Sequence, residues 1–292
     1  MILIEILKSL RPHQWIKNLF IFAPLIFSEN ILNIRMVLTT GMAFVCFCLL
    51  SGAVYLLNDL KDIEEDRRHP VKSKRPLAAG RISSRHAWTA FVIVSIMAGL
   101  AASALNRDFL LTALLYFVLQ VGYSLRLKHV VILDVFIIAF GFLIRVVAGA
   151  LAIRVEISPW LLICTLLLAL FMALSKRRHE LILMSSRAVD HRPILIEYSP
   201  GLLDQMIAVV TSATVIAYCL YTIAEETVVK FGTRDLIYTV PFVLYGIFRY
   251  LYLIHQKSEG GSPESIIIRD RALLADILLW IAVASMIIYV RS

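Results

Sequence analysis

Apolar segments long enough to cross a bilayer recur from one end of this chain to the other. A lipid-spanning backbone must satisfy its own hydrogen bonds, which limits what such a chain can fold into. Stretches of roughly spanning length, about 20 residues for a helix, lie near residues 36–57, 87–105, 108–125, 131–153, 159–175, 202–223, 236–254 and 272–290, with a shorter one at 17–28. The chain is 60% hydrophobic and 17% charged over 292 residues, far more apolar than a soluble domain. The pattern predicts an all-α polytopic membrane protein of nine transmembrane helices. The first is the weakest, because an apolar run of about 10–14 residues also suits a re-entrant or merely buried helix.

Charge sets the orientation. With nine crossings, the faces holding 1–17, 58–86, 126–129, 176–193 and 249–271 carry 22 of the 29 Lys and Arg residues. The opposite loops and the C-terminus carry Arg35, Arg107, Arg154, Lys230, Arg234 and Arg291, and Arg145 lies inside a span. The positive-inside rule places the N-terminus and the charged loops in the cytoplasm and the C-terminus outside. The expected location is a bacterial inner (cytoplasmic) membrane. Anionic headgroups and phosphate substrates account for the net charge of +8 without nucleic acid.

The densest chemistry follows the second apolar run: Asn58-Asp-Leu-Lys-Asp-Ile-Glu-Glu-Asp-Arg-Arg-His-Pro-Val-Lys-Ser-Lys-Arg-Pro-Leu-Ala-Ala-Gly80. Asn58, Asp62 and Asp66 are four residues apart and Asp59 lies three before Asp62, so on a helix they share one face. Oxygen ligands crowded at a membrane boundary repel one another unless a cation joins them. Mg²⁺ is the natural partner, since it takes carboxylate oxygens and keeps positions open for substrate phosphates. His69, Lys72, Lys74 and Arg75 then offer charge to the phosphates themselves. The expectation is a metal–diphosphate site with Asn58, Asp59, Asp62 and Asp66 on the metal. Asp59, Asp62 and Asp66 are its catalytic carboxylates.

One membrane domain, 1–292, is the economical reading, since no linker or low-complexity tract interrupts the chain. Residues 1–10 read as a short interfacial helix with no signal-peptide cleavage site. The charged loops 58–86 and 176–201 occupy similar positions four helices apart, a weak sign of an internal repeat. Ser262-Pro263-Glu264 reads as a helix start before the last span. Cys46, Cys48, Cys164 and Cys219 sit within spans, fit no zinc or disulfide framework, and are read as small buried hydrophobes. His69, His86, His179 and His191 show no metal-ligand spacing.

At this point the motifs are similar to those of the UbiA-type intramembrane prenyltransferase superfamily. Asn58-Asp-x-x-Asp-x-x-x-Asp66 followed by Arg75-Pro-Leu-Ala-x-Gly80 resembles its first aspartate-rich motif. Tyr123-Ser-x-x-x-Lys128 resembles its stretch between helices four and five. Arg11-Pro-His-Gln-Trp-Ile-Lys-Asn18, Ser175-Lys-Arg-Arg-His-Glu180, Gly261-Ser-Pro-Glu264 and Arg269-Asp-Arg271 resemble its branch that moves a phosphoribosyl group onto a polyprenyl phosphate. The resemblance implies a UbiA-like bundle with cytoplasmic cap loops. It also implies Mg²⁺ as cofactor, 5-phosphoribosyl 1-diphosphate as donor and a decaprenyl-like polyprenyl monophosphate as acceptor. Lys17, Tyr55, Lys72, Lys74, Arg75, Tyr123, Lys128, Asp134, Arg145, Lys176 and Arg177 are then the expected substrate contacts. A homo-oligomer is left open. Where the wider superfamily carries a second aspartate-rich motif, this chain has Lys176-Arg177-Arg178-His179-Glu180, which suits direct pairing with phosphate.

Plainer alternatives stand beside these. The 58–66 acids also suit a solvated charged loop. Lys72, Lys74, Arg75 and Lys176–Arg178 also suit topology-setting positives. Arg145 also suits a structural pair with Asp134, and Tyr55 and Tyr123 suit an interfacial aromatic belt. Two rival functions share the features. One is a prenyltransferase joining a prenyl diphosphate to an aromatic acceptor, and the other is a transporter of anionic solutes or lipids.

Overall fold

A computed structural model describes residues 2–68, 71–186, 193–257, 266–267 and 269–290. His69, His191 and the expected helix start at 262–264 lie outside the described residues. The described residues are predominantly helical, and no strand occurs among them. They divide into two units, Met1–Ile157 and Ser158–Ser292, each holding four of the eight helices whose length and composition suit a bilayer crossing. The chain is a multi-pass membrane protein.

The first unit opens with α1, Ile2–Ser9, followed by a 3-10 helix, Pro12–Phe22, and the short α2, Ala23–Phe27. Its long helices are α3 (Ile34–Lys61), α5 (Ser84–Leu105), α6 (Arg107–Leu125) and α7 (Leu133–Ile153), with α4 (Ile63–Arg68) lying between α3 and α5. Three of the four start on a side-chain cap. The Asn33 side chain accepts from the Met36 N–H at 3.3 Å, Ser83 Oγ from His86 at 3.3 Å and Asn106 Oδ1 from Phe109 at 2.8 Å. Each satisfies a donor that the first helical turn leaves orphaned.

Lipid gives helices no hydrophobic reason to associate, so small residues that let backbones approach carry the packing. Ala43, Ala98, Ala102, Ala113, Ala148 and Ala152 line the core, with Ile21, Phe47, Phe109 and Tyr116 filling between them. Large apolar side chains such as Leu100, Val118 and Leu115 face outward, the inverse of a soluble protein's surface. The 3-10 segment lies directly against α7. A Cβ at Gly149 of α7 would stand 2.1 Å from the Ile21 carbonyl oxygen.

The expected first span, 17–28, is therefore the later part of a longer stretch beginning at Pro12, mostly 3-10 rather than α. Lys17 lies within that stretch, about 12 Å past Arg11 at a 3-10 rise of about 2.0 Å per residue.

The second unit contains α8 (Pro159–Ser186), α9 (Pro200–Ile223), the short α10 (Glu225–Phe231), α11 (Val240–Gln256) and α12 (Arg271–Val290). Its first long helix runs well beyond the expected 159–175, carrying Lys176–Glu180 on the helix rather than in a loop. Lys, Arg and Glu are strong helix formers, and Arg177 ties to Glu180 one turn on, at 2.5 Å. The acidic segment departs from the loop reading in the same way: Asn58 to Lys61 finish α3, and Asp66 sits on α4. In each unit charged residues sit on the first long helix itself, at Asn58–Lys61 of α3 and Lys176–Glu180 of α8. The four cysteines are unpaired; Cys46 and Cys48 are buried, while Cys164 and Cys219 are half-buried.

Candidate functional site

The last two turns of α3 present Tyr55, Asn58 and Asp59 before the helix stops at Asp62, whose φ of −98° and ψ of 18° bend the chain into α4. That bend folds Asp66 back toward Asp59. Arg75, extended after the Lys72–Lys74 turn, completes the cluster. Its Nη1 donates to Asp59 Oδ1 at 3.3 Å and to Asp66 Oδ2 at 2.5 Å. Gly80, at φ +70°, closes the following turn in a conformation that favours glycine.

Asp59 and Asp66 are both buried to within 2% of full enclosure. Buried carboxylates require partners, and the partners are cations from distant segments. Arg11 Nη2 reaches Asp59 Oδ1 from the start of the 3-10 helix, its guanidinium carbon 4.7 Å from the centroid of the Tyr55 ring. Lys128 Nζ lies 3.3 Å from each oxygen of Asp62. Lys61 turns away to the carbonyls ending α6, at 3.1 Å from Ser124 O and 2.6 Å from Leu125 O, a favourable place for a cation.

Six of the expected residues are therefore brought to one end of α3: Tyr55, Asp59, Asp62, Asp66, Arg75 and Lys128. Asn58 belongs to the same turn and is half-buried. Lys72 is half-buried and Lys74 exposed on the adjoining turn. Tyr123 lies on the last turn of α6. Asp134 is fully buried in the first turn of α7, where the helix dipole favours an acid. It follows Ile132, whose φ of 68° is rare for a β-branched residue.

Arg145 lies three turns deeper and is also buried. Neutral groups receive it: Nε donates to Asn18 Oδ1 at 2.7 Å, Nη1 to Gly141 O at 2.7 Å and Nη2 to the Tyr116 hydroxyl at 2.8 Å. It makes no ion pair with Asp134 among the described residues. Asn18 completes the layer by donating to Ser51 Oγ and Cys48 Sγ. In the second unit Arg177 is nearly fully enclosed and paired with Glu180, Lys176 is half-buried, and Arg178 is held by Asp204.

The donor set suits a divalent cation in one respect that the ion pairs leave open. Asp59 Oδ2 is buried without a hydrogen-bond partner, although Oδ1 of the same carboxylate receives two arginines. No three His, Cys, Asp or Glu side chains converge to hold a metal by themselves among the described residues. A site sharing its metal with substrate phosphates does not need such a cage, because Mg²⁺ in phosphate-handling sites takes only one or two protein carboxylates.

The chief functional residue that spacing did not reveal is Arg11. It stands 48 positions from its partner, and its signals were its place before Pro12 and its membership of the resembling segment Arg11–Asn18. Asn18 closes that same segment, whereas Tyr116, which also holds Arg145, carried no signal.

The model described as the UbiA prenyltransferase family matches residues 20–267. The decaprenyl-phosphate phosphoribosyltransferase of Corynebacterium glutamicum is 32% identical over 289 residues, covering 97% of this chain and 86% of that protein. The Mycobacterium tuberculosis protein of the same name is 32% identical over 281 residues, covering 95% and 92%. Among solved structures, a UbiA homolog from Archaeoglobus fulgidus bound to GPP and Mg²⁺ superposes with a TM-score of 0.72 at 19% identity, covering 97% of this chain and 99% of that one. That last likeness is one of fold.

Proposed function

The chain belongs to the UbiA prenyltransferase family, and on that footing we propose that it transfers the 5-phosphoribosyl group of 5-phosphoribosyl 1-diphosphate to a polyprenyl monophosphate of the decaprenyl class. Diphosphate is released, the site faces the cytoplasm at the inner membrane, and the whole chain acts as one transferase domain. The names of the relatives at 32% identity support the choice of substrates.

The observation in this chain that carries it is the unequal charge of two corresponding helix ends. The α3 end gathers three carboxylates, one with a buried oxygen that no partner meets, whereas the later part of α8 carries Lys176, Arg177 and Arg178, with Glu180 on Arg177 and Asp204 on Arg178. One diphosphate held through a metal, and a second phosphate held directly by cations, fit that inequality. Two metal-bound prenyl diphosphate clusters do not.

Asn58, Asp62 and the free oxygen of Asp59 are the groups that would hold Mg²⁺, with Asp66 supporting them. Mg²⁺ bound there would neutralise charge on the departing diphosphate. The chain's own residues supply the rest. Lys72, Lys74, Arg75 and Lys128 neutralise the remaining phosphate oxygens. Tyr55, Tyr123 and Asp134 orient the ribose, and Lys17 and Arg145 add positive charge along the path into the bundle. Lys176 and Arg177 take the second phosphate.

In the transfer, an oxygen of the acceptor phosphate donates a lone pair to the anomeric carbon. The bond to the diphosphate breaks, and diphosphate leaves with that electron pair. A phosphate monoester is already anionic, so no general base is needed. Positioning and electrostatic stabilisation carry the catalysis.

Purified chain in detergent tests this directly. Labelled 5-phosphoribosyl 1-diphosphate with polyprenyl phosphate is compared with labelled prenyl diphosphate and hydroxybenzoate. Label entering lipid only from the phosphoribosyl donor is expected, and incorporation only from the prenyl donor overturns the reading. Turnover in detergent, with no gradient present, also separates an enzyme from a transporter.

A further inference from the structure

Three carboxylates and three cations meet at the end of α3. Arg11 and Arg75 lie on Asp59, Arg75 on Asp66, and Lys128 on Asp62. The formal charges cancel, yet the pairing is uneven. Both guanidinium groups crowd onto Oδ1 of Asp59 while Oδ2 stays buried and unpartnered. A carboxylate placed only to hold arginine does better with a two-oxygen fork.

Arg11 is also held here against its backbone preference. Its φ of 54° and ψ of 64° lie in the left-handed region, uncommon for a residue other than glycine and further disfavoured before a proline. Strain of this kind persists where the surroundings enforce it, and it collects at switching sites.

We infer that Arg11 and Arg75 are exchangeable counter-ions, occupying the carboxylates until metal and diphosphate arrive together and then passing to the diphosphate oxygens. The inference rests on the metal–diphosphate reading given above. A lone divalent cation meets a cluster already neutralised. To reach both oxygens of Asp59 it must push a guanidinium off that carboxylate without supplying an anion in its place. The metal–diphosphate complex brings those anions with it, in the geometry that guanidinium groups bind best. Metal and diphosphate therefore bind with positive coupling, which linkage makes reciprocal. The site does not fill with metal ahead of its substrate. Because Arg11 joins α1 to the 3-10 helix, the exchange also draws the amino-terminal segment into substrate binding.

Calorimetry on the full-length protein in detergent separates the possibilities, using Mg²⁺ alone and preformed magnesium–inorganic diphosphate as probes. Arg11→Gln is expected to bind Mg²⁺ alone about ten-fold more tightly than wild type and the complex about ten-fold more weakly, within the usual span of site–site coupling. Arg75→Gln, reaching Asp59 from the other side, should shift both in the same directions, so either variant decides if the other fails to purify. Arg11→Lys keeps the charge but loses the fork, and should fall between wild type and Arg11→Gln for both probes. A fall in affinity for both probes in the Gln variants would make the arginines structural and overturn the exchange. So would unchanged Mg²⁺ binding in a protein that still takes the complex, and that result would leave the diphosphate site standing. Wild-type protein that binds neither probe would overturn both.

Discussion

Asp62 differs from its acidic neighbours in how it is held. Asp59 and Asp66 are enclosed and gripped by guanidinium groups, whereas Asp62 keeps 23% side-chain exposure and meets the single ammonium of Lys128 at 3.3 Å. It is the carboxylate most readily surrendered to a metal. Asp62→Asn preserves shape and a hydrogen-bonding oxygen while removing the charge. It should reduce Mg²⁺-dependent phosphoribosyl transfer by about a hundred-fold or more, the scale of losing a key electrostatic group. Membrane insertion and yield should stay near normal. Near wild-type turnover would remove Asp62 from the metal.

Local spacing made the acids visible, because Asn58, Asp59, Asp62 and Asp66 are neighbours in the chain as well as in space. It showed Arg145 as a charge inside a span but not what surrounds it. Asn18 and Tyr116 lie 127 and 29 residues away, and no periodicity links them.

At the level of elements, the least expected feature is the 3-10 stretch Pro12–Phe22, much longer than the three or four residues usual for that helix. Hydropathy registered only its later half, since Pro12, His13, Gln14 and Lys17 dilute the start. Its path depends on Gly149, where the Ile21 carbonyl occupies the space of a side chain. Gly149→Ala should force α7 and this segment apart and destabilise the protein by about 1–3 kcal/mol, as overpacking does. Thermal unfolding in detergent would register it, and an unshifted Tm would mean the two backbones are not in contact.

In the second unit Arg249 of α11 holds Asp270 through two hydrogen bonds, at 3.1 and 2.8 Å, fastening the approach to α12. The guanidinium keeps the Asp270 carboxyl below its usual range. The folded state therefore binds this proton less readily than the unfolded chain does. The stabilisation is complete above the ordinary carboxylate pKa and fades as pH falls through the lowered value. Arg249→Gln should flatten that acid limb of a Tm–pH profile, and a profile unchanged by the substitution would show the pair carries no linkage. Sequence marked Arg249 only as a charge near a span end and Asp270 only as part of the Arg269–Arg271 motif, because their pairing depends on how α11 meets the start of α12.

For the whole molecule, the open question is which side of the membrane each end of the chain occupies, and the amino-terminal geometry speaks to it. Arg11 contacts Asp59, Asn18 contacts Ser51 and Cys48, and Phe22 packs on Phe44 with ring centroids 5.7 Å apart. Eleven residues of one segment thus pass fifteen of α3 in the opposite direction. At about 2.0 Å per residue for a 3-10 helix and about 1.5 Å for an α-helix, both distances are about 22 Å, so the two run side by side without slack. The remaining distance to Asn33, which caps the far end of α3, is covered by α2 and the turn after it. A chain that travels this far along a 28-residue membrane helix has traversed most of the bilayer itself. The stretch is too short and too polar at its start to count among the eight long apolar helices. With its crossing added, residues before Arg11 and residues after α12 should lie on opposite sides, the former with the basic loops in the cytoplasm. Reporters active on only one side of the membrane, fused before α1, within 71–83 and after α12, measure this. Cytoplasmic signals from the first two and an external signal from the third are expected. Matching signals from the two ends would mean that the 3-10 stretch dips into the bilayer and returns, and would leave the chain with an even number of crossings.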